Sequence, residues 1–359
     1  MLILVGCVAP TTVPSPPTPS TTAEESTTTE TPAEIPTGKV EPQSSQQETI
    51  GLPEIIQEAP QSNELILRNY VWEFGGEWSW ELTIPKSLYE YYKGIPRPPT
   101  VDYSVYVTHP VDDIYIDRLA GNIRDAALQE GYDDYQTVEL AIAFVQNLPY
   151  TFDSVTSPYD EYPRYPIETL VDNGGDCEDT SILLASLLSS MGYGIVLIQL
   201  PDHCAVGLKG GENIYGTYWE YEGAKYYYLE TTNTGWGIGE LPEEYENTSA
   251  HIYPMVPTPI ITHEWIMEGK GNYAELKVKV SNQGSATASN VYVFAGFDAG
   301  GDKVWSPEQS ESFQLGAGQQ VTVTMFLSAP PPNIHTRVVV QIAIDDYSVS
   351  ESYSEWFDT

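Results

Sequence analysis

Three prolines within six residues, at positions 254–259, interrupt a chain of 359 residues. Proline fixes its own φ and donates no backbone hydrogen bond, so this stretch stiffens the chain and blocks the continuation of a sheet. A chain of this length also exceeds one ordinary hydrophobic core. The sequence therefore predicts a Pro-rich linker at 254–261 between two globular units.

The N-terminal sixty residues differ in composition from the rest of the chain. Residues 9 to 47 are largely Pro, Ser, Thr and Glu, and such a segment cannot bury enough apolar surface to offset backbone ordering. Ser/Thr/Pro tracts of this type resemble O-glycosylated spacers of cell-surface proteins. Residues 8–60 are therefore expected to form a disordered stalk.

The chain opens Met1-Leu2-Ile3-Leu4-Val5-Gly6-Cys7, and its last four residues have the form of a lipobox. This apolar segment is too short to span a bilayer, and no Lys or Arg precedes Cys7. We expect residues 1–7 to be a truncated lipoprotein signal with Cys7 as the lipidation site. An ordinary disordered N-terminus with a chance cysteine is the alternative.

The charge of the chain excludes some partners. With 51 acidic and 15 basic residues the formal charge is −36, which disfavours nucleic acid and anionic membrane surfaces. Any membrane contact is expected only through the lipid anchor at Cys7. Three cysteines are too few for a disulfide framework, so a hydrophobic core must hold the fold together.

Hydrophobic periodicity predicts helices followed by strands before the linker. Residues 61–115 contain alternating aromatic and β-branched residues, as in Trp78 to Ile84, and are expected to form an arm packed on the unit that follows. In that unit, residues 116–253, helices are predicted at 116–130, 135–147 and from Cys177 to near Gly192. Short strands are predicted at 195–200, 203–208 and 225–231.

The unit after the linker has a different pattern. Residues 262–359 contain short β-rich runs separated by Gly, Asn, Ser and Pro turns, which predicts an all-β immunoglobulin-like sandwich. Val280-Ser281-Asn282-Gln283-Gly284 and Leu315-Gly316-Ala317-Gly318 resemble the turns of CARDB modules of prokaryotic surface proteins. No catalytic constellation is visible in this unit.

The strongest chemical signal is Gly174-Gly175-Asp176-Cys177-Glu178-Asp179, which runs into the apolar helix and is followed by Asp202-His203-Cys204-Ala205-Val206-Gly207. A helix N-terminus and a facing imidazolium both lower the pKa of a thiol. The two glycines are expected to supply the tight backbone that delivers Cys177 to the helix start. Asp176 or Asp179 is expected to cap that helix.

Together with Pro166-Ile167-Glu168-Thr169-Leu170, this pattern resembles the transglutaminase-like superfamily, and is especially similar to the bacterial transglutaminase-like cysteine proteinases. The resemblance implies an α+β, papain/transglutaminase-like core of helices packed on an antiparallel sheet, without a cofactor or a metal. It implies Cys177 as the nucleophile and His203 as its base. The third position, usually aspartate, is Glu230, which would orient the imidazole through Nδ1; Asp202 is the other candidate.

Several supporting roles are assigned to neighbouring residues. The backbone N–H of Cys177 is a natural oxyanion donor because helix-start amides lack internal partners. Gln146 and Tyr165 are the candidates for the second oxyanion donor. Glu168 is expected to form a salt bridge with Arg164 or to cap its loop.

The cysteines have two other conceivable uses, a disulfide and a metal site. Cys177 could form a disulfide with Cys204, but strand alternation would turn Cys204 away from Cys177 if His203 faces it. A metal site built from Asp176, Cys177, His203 and Cys204 is disfavoured because no C-x-x-C pair or histidine cluster is present. Cys204 is therefore expected on the far face of the strand.

These observations predict a thiol enzyme at the extracellular face of a prokaryotic, archaeal-type cell membrane, lipid-anchored at Cys7. It would act by Cys-His-Glu acyl transfer and hydrolyse a peptide or isopeptide bond in a peptide or protein substrate of the cell envelope. Three alternatives stay open: a cross-linking transglutaminase, a non-catalytic binding or adhesion module, and a purely structural envelope protein.

Overall fold

The computed structural model describes residues 33–34, 64–98, 100–153, 162–211, 213–301 and 303–359. The expected signal at 1–7, with Cys7, lies outside the described residues, and so does the expected stalk apart from Ala33–Glu34. These two residues form strand β1, which pairs antiparallel with residues 303 and 304. No helix within the described part of the chain is long and apolar enough to cross a membrane.

The arm is a hairpin followed by two helices. Strands β2 (Leu65–Glu73) and β3 (Glu77–Pro85) pair antiparallel, and alternate residues of each strand are buried. Tyr70 and Trp72 contact the ring of Phe144 with centroids 5.3 and 5.1 Å apart, so the hairpin packs on the helical part that follows. Helices α1 (Lys86–Gly94) and α2 (Ser104–Val107) continue the arm.

Among the described residues, further helices lead up to and include the candidate motif: α3 (Asp113–Gln129), α4 (Asp134–Gln146), α5 (Pro166–Asp172) and α6 (Cys177–Ser190). The Asp133 side chain caps α4 by accepting a hydrogen bond from the backbone N–H of Gln136. Helix α6 is buried along most of its length because apolar or small residues occupy every side of it. It is the central helix of this unit.

An antiparallel sheet packs against α6. Its strands run in the spatial order β6-β7-β5-β4-β8, with the bounds β4 (Ile195–Leu200), β5 (His203–Gly210), β6 (Tyr218–Tyr221), β7 (Ala224–Leu229) and β8 (His251–Pro254). Leu197, Cys204 and Val206 belong to the core on the α6 side. Ala205 and Tyr228 belong to a separate cluster on the other face.

The described part of the C-terminal unit is all-β: two larger antiparallel sheets enclose a core, and residues 335–336 pair with residues 357–358 in a separate two-stranded sheet. One sheet has the order β14-β10-β9, and the other has the order β1-β12-β11-β16-β17 with β13 paired to β11. The strands are β9 (Ile261–Gly269), β10 (Tyr273–Asn282), β11 (Ala288–Asp298), β12 (Lys303–Gln309), β13 (Phe313–Leu315), β14 (Gln320–Ser328), β15 (His335–Thr336), β16 (Val338–Ile344), β17 (Tyr347–Tyr353) and β18 (Phe357–Asp358). The described chain is thus a mixture of helices and antiparallel sheets.

Candidate active site

Two glycines deliver Cys177 to the start of α6. Gly174 has a φ of +147°, and a Cβ at this position would collide with the carbonyl oxygen of Pro149. A Cβ on Gly175 would collide with the side chain of Asp179. Glycine is therefore required at both positions by close approach, and Cys177 becomes the first residue of the helix, where its N–H has no acceptor inside the helix.

A buried ion-pair cluster holds this helix start in place. The Asp179 carboxylate accepts hydrogen bonds from the backbone N–H of Asp176, at 3.3 Å, and of Arg164, at 2.6 Å. The Arg164 guanidinium pairs with Asp179, with Asp153 at 3.0 Å and with Asp172 at 3.3 Å. Arg164 is 1% exposed and Asp179 is 0% exposed, so the charges compensate each other in the absence of solvent.

The expected salt bridge between Glu168 and Arg164 is not formed. Glu168 pairs with Arg97 at 2.6 Å and accepts a hydrogen bond from the backbone N–H of Tyr165 at 3.0 Å. The capping role therefore holds, and the arm supplies the cation. Sequence separation hid this pairing, since Arg97 lies 71 residues before Glu168.

His203 begins β5 immediately after the two-residue turn Pro201–Asp202. Its Nε2 lies 3.3 Å from Glu230 Oε2 and 3.2 Å from Tyr228 Oη. Its ring stacks on Tyr245, with centroids 5.0 Å apart and planes inclined by 9°. Glu230 therefore meets the imidazole at Nε2, and the expectation of a contact at Nδ1 is wrong, because Glu230 comes directly after β7 and reaches the ring beside Tyr228.

Glu230 is held as a charged acceptor. Its Oε1 accepts hydrogen bonds from the Thr231 N–H, the Thr232 N–H and the Thr232 hydroxyl at 2.9, 2.9 and 2.7 Å. Burial acts to raise the pKa of Glu230, but the hydrogen bond and charge of His203, with the Tyr228 and Thr232 hydroxyls, lower it to about 2. An ionised carboxylate only accepts, so the proton lies on Nε2 and Nδ1 keeps a lone pair.

Cys177 and His203 line the same cavity, which has a volume of about 420 Å³. The Cys177 Sγ–H donates a hydrogen bond to Glu178 Oε2 at 3.2 Å, and within the described residues no hydrogen bond joins the thiol to His203. Burial and the charge of Glu178 raise the pKa of the Cys177 thiol, while a hydrogen bond from the Cys204 backbone opposes the rise. Cys177 is thus held as a neutral thiol.

Carboxylates crowd this cavity. Oxygen atoms of Asp153, Asp176 and Glu178 lie within 4.8 Å of one another. Burial and the charge of Glu178 raise the pKa of Asp176 to about 8, and burial and the charge of Asp179 raise the pKa of Glu178 to about 7. Such oxygen donors are the type that hard cations bind. The group contains no cysteine or histidine and so differs from the metal site that the sequence disfavours, which combines Asp176 with Cys177, His203 and Cys204.

The expectation for Cys204 is wrong. Cys204 lines the cavity together with Cys177 and His203, and its side chain belongs to the core beneath α6. Alternation along β5 does hold, but it is Cys204 that turns to the helix side, while the ring of His203 contacts Tyr228 and Tyr245. Both thiols are free, so the disulfide alternative is not formed.

Neither candidate for the second oxyanion donor offers a free group to the cavity. Gln146 Nε2 donates to the carbonyls of Glu230 and Trp236 at 3.0 and 2.9 Å, which uses both of its hydrogens. Tyr165 is fully buried against Tyr92 and does not line the cavity. Gln146 instead holds the segment that follows Glu230. Asp202 does line the cavity, but it is an exposed turn residue with a φ of +55°.

Hydroxyl groups connect the three elements that carry the candidate residues. The Thr231 hydroxyl lies 2.9 Å from the Thr180 hydroxyl and 3.1 Å from that of Ser181, and Ser181 also donates to the Cys204 carbonyl at 2.9 Å. Helix α6, strand β5 and the end of β7 are therefore fixed relative to one another. Small polar residues on an apolar helix were the sequence signal for this contact.

Replacing Glu178 with Gln should make Cys177 more reactive, because an amide carries no charge and can donate to a thiolate. We expect the alkylation of Cys177 by iodoacetamide to accelerate about tenfold at pH 8, where the carboxyl group of the native protein is charged. The gain should shrink at pH 6, below the pKa of Glu178, where that group is largely neutral. Peptide mass spectrometry measures the rate.

Asp202→Asn is the matched control for this experiment, since Asp202 lines the same cavity without contacting Sγ. It should leave the alkylation rate within about twofold of the native value. An unchanged rate in Glu178→Gln at both pH values would show that Glu178 does not restrain the thiol.

Comparisons with known proteins find no family model that matches the chain and no curated protein that matches it. Among solved structures, a CARDB domain from Pyrococcus furiosus in complex with di-metal ions is similar at 16% identity and a TM-score of 0.20, over 26% of this chain and 85% of that one. A red sea bream transglutaminase is similar at 10% identity and a TM-score of 0.23, over 80% of this chain and 61% of that one.

A beta-glucosidase from Kluyveromyces marxianus in complex with glucose is similar at 19% identity and a TM-score of 0.19, over 27% of this chain and 14% of that one. This chain therefore spans only a small part of the glucosidase and less than two thirds of the transglutaminase. TM-scores near 0.2 carry no argument about fold or chemistry. The function proposed below is inferred from the geometry of the site.

Proposed function

We propose that this protein is a thiol acyl-transfer enzyme in which Cys177 attacks the carbonyl carbon of a peptide or isopeptide bond and water resolves the thioester. The observation that carries the proposal is the cavity that His203 shares with a thiol at a helix start, together with the buried Glu230 carboxylate that contacts His203 Nε2. A base oriented by a third group is one part of the arrangement that activates a nucleophile.

The proposed reaction starts from the neutral thiol. The Sγ–H proton passes to the lone pair on His203 Nδ1 as sulfur bonds to the carbonyl carbon, and Glu230 stabilises the imidazolium through Nε2–H. The oxyanion accepts a hydrogen bond from the Cys177 N–H. His203 then gives its proton to the leaving amine, which leaves a thioester on Cys177. Water, deprotonated by His203, attacks the thioester, and the thiol is regenerated with release of a carboxylic acid.

p-Nitrophenyl acetate tests this proposal because it is a small activated ester that needs no specific pocket. The native protein should release p-nitrophenolate in repeated turnovers, and Cys177→Ala should lose that turnover. Cys204→Ala removes a thiol from the same cavity and should retain most of the activity. Equal turnover by the native protein and Cys177→Ala would exclude Cys177 as the nucleophile.

Cross-linking is the alternative outcome for the same thioester. Adding a primary amine such as methylamine separates the two, since aminolysis forms N-methylacetamide whereas hydrolysis forms acetate. We propose hydrolysis, so acetate should remain the main product. Predominant amide formation would assign the chain to transfer between a carbonyl and an amine.

A non-catalytic binding module is the second candidate function, and one observation favours it. The Cys177 thiol donates a hydrogen bond to Glu178. Burial and the charge of Glu178 raise the pKa of the thiol, as in an inert structural cysteine. If the protein is a binding module, p-nitrophenyl acetate should hydrolyse at the same slow rate with native protein, Cys177→Ala and His203→Gln.

The location of the protein also stays a proposal. We propose that it is anchored by a lipid at Cys7 on the extracellular face of a prokaryotic membrane and acts on a peptide or protein of the cell envelope. The lipobox-like start and the Ser/Thr/Pro-rich segment support this. Mass spectrometry of the protein from membranes would detect the lipid, and a Cys7→Ser variant should be released into the soluble fraction.

A further inference from the structure

The hydroxyl of Tyr228 lies between the two residues proposed to form the base. Its Oη is 2.6 Å from Glu230 Oε2 and 3.2 Å from His203 Nε2. Tyr228 is 0% exposed, Glu230 2% and His203 7%, so water does not compete for these contacts. The three polar groups therefore form one closed arrangement around a single imidazole nitrogen.

The donors and acceptors in this arrangement can be assigned in one consistent way. Glu230 is charged and only accepts, so the Tyr228 hydroxyl donates its hydrogen to Oε2. The oxygen of Tyr228 then has only lone pairs to offer to His203, and the His203 Nε2–H is the donor to both partners. Burial and the charge of Glu230 raise the pKa of Tyr228, which keeps the hydroxyl protonated.

Glu230 Oε2 depends on Tyr228 more than Oε1 does. Oε1 has three donors from the segment that contains Glu230 itself, whereas Tyr228 and His203 are the partners that the described structure gives to Oε2. Without the Tyr228 hydroxyl, the carboxylate could rotate about its last bond, and the His203 ring would lose one of its two acceptors at Nε2. Stacking on Tyr245 restrains the plane of the ring but not which nitrogen holds the proton.

We propose that Tyr228 is a positioning residue for the acyl transfer: it fixes Glu230 Oε2 and the His203 Nε2–H tautomer so that Nδ1 is the basic nitrogen. This inference rests on the proposed function. The strand pattern supports it, because residues two apart on an extended chain lie on the same side, as Tyr228 and Glu230 do.

Tyr228→Phe tests the inference, with Tyr227→Phe as the matched control. Tyr227 is the neighbouring buried tyrosine, and its hydroxyl donates to the Gly211 carbonyl at 2.9 Å, away from His203. Both variants lose one buried tyrosine hydroxyl from the same strand, but only Tyr228→Phe loses contacts to Glu230 and His203. The full chain, labelled with ¹⁵N-histidine, is used for each, and His203→Gln identifies the His203 signals among those of five histidines.

Two readouts are measured. In native protein and in Tyr227→Phe, the ¹⁵N shifts of His203 should report Nε2–H and an unprotonated Nδ1, whereas Tyr228→Phe should shift the Nε2 signals or mix the tautomers. Acylation of Cys177 by p-nitrophenyl acetate should slow about tenfold in Tyr228→Phe and stay within about twofold of native in Tyr227→Phe.

The inference is overturned if Tyr228→Phe has the same His203 signals and the same acylation rate as Tyr227→Phe. It is also overturned if both variants lose activity equally, since that result would reflect a general weakening of β7. Failure of the proposed function is a separate result: Cys177→Ala would then match the native protein in ester turnover, whatever the histidine signals show.

Discussion

His203→Gln is expected to slow the acylation of Cys177 by p-nitrophenyl acetate by at least about 100-fold at pH 7, because the variant lacks the imidazole that accepts the thiol proton in the proposed reaction. Glutamine is close in size to histidine and can still donate a hydrogen bond to Glu230, so the buried carboxylate keeps a partner. The effect should therefore appear in the chemical step. Stopped-flow absorbance of p-nitrophenolate measures it.

His263→Gln provides the control for general effects of losing a histidine. Both ring nitrogens of His263 are hydrogen-bonded to serine hydroxyls in the C-terminal unit, at 2.8 and 2.6 Å. Like His203, this ring is therefore hydrogen-bonded and at least partly buried. The control variant should acylate at the native rate. An equal rate in His203→Gln and native protein would remove His203 from the mechanism.

Arg164→Met is expected to destabilise the helix start by about 3–5 kcal/mol, the usual cost of removing one partner of a buried ion pair. The change leaves Asp179 and Asp153 buried without their cation. Asp179 also accepts the Asp176 N–H, so loosening this carboxylate should free the turn that delivers Cys177. Hydrogen exchange of the α6 amides, followed by mass spectrometry, reports the local loss of stability.

Lys86→Met is the matched control, since it removes a surface ion pair with Glu64 whose side chains are 39% and 65% exposed. Its effect on α6 should stay within about 0.5 kcal/mol. A double variant, Arg164→Met with Asp179→Asn, should recover part of the loss because one unpaired charge is gone. Unchanged α6 exchange in Arg164→Met would mean that the ion-pair cluster does not hold the helix start.

Periodicity alone predicted much of the fold around the site. Helices α3, α4 and α6 and strands β4 and β5 all appear within a few residues of their expected positions, because each buries one regular apolar face. Helix α1 was not predicted, since it buries only Ser87, Leu88 and Tyr92 and follows directly on a strand-like aromatic run. Residues 210–223 were expected to form a hairpin or a loop, and strand β6 within them pairs with β7 as a hairpin although its residues are only half-buried or exposed.

The site was predicted less evenly. The spacing of the motif indicated Cys177 and His203, and the next strand indicated Glu230, because these depend on the order of elements along the chain. The sequence does not reveal how a long side chain is oriented. Gln146 was therefore predicted as a candidate oxyanion donor, whereas its amide donates to two backbone carbonyls. Tyr245 gave no signal, since it reaches His203 from the short 3₁₀ helix Glu243–Tyr245, fifteen residues beyond Glu230.

The location of the acyl group after reaction with p-nitrophenyl acetate tests directly whether Cys177 is the nucleophile and His203 its base. Native protein is mixed with the ester, quenched in acid within the first turnover and digested, and the peptides are analysed by mass spectrometry. We expect one acetyl group, as a hydroxylamine-sensitive thioester on Cys177, that is absent from His203→Gln at the same time point. Acetyl groups found only on lysines, or on Cys177 to the same extent in both proteins, would contradict it.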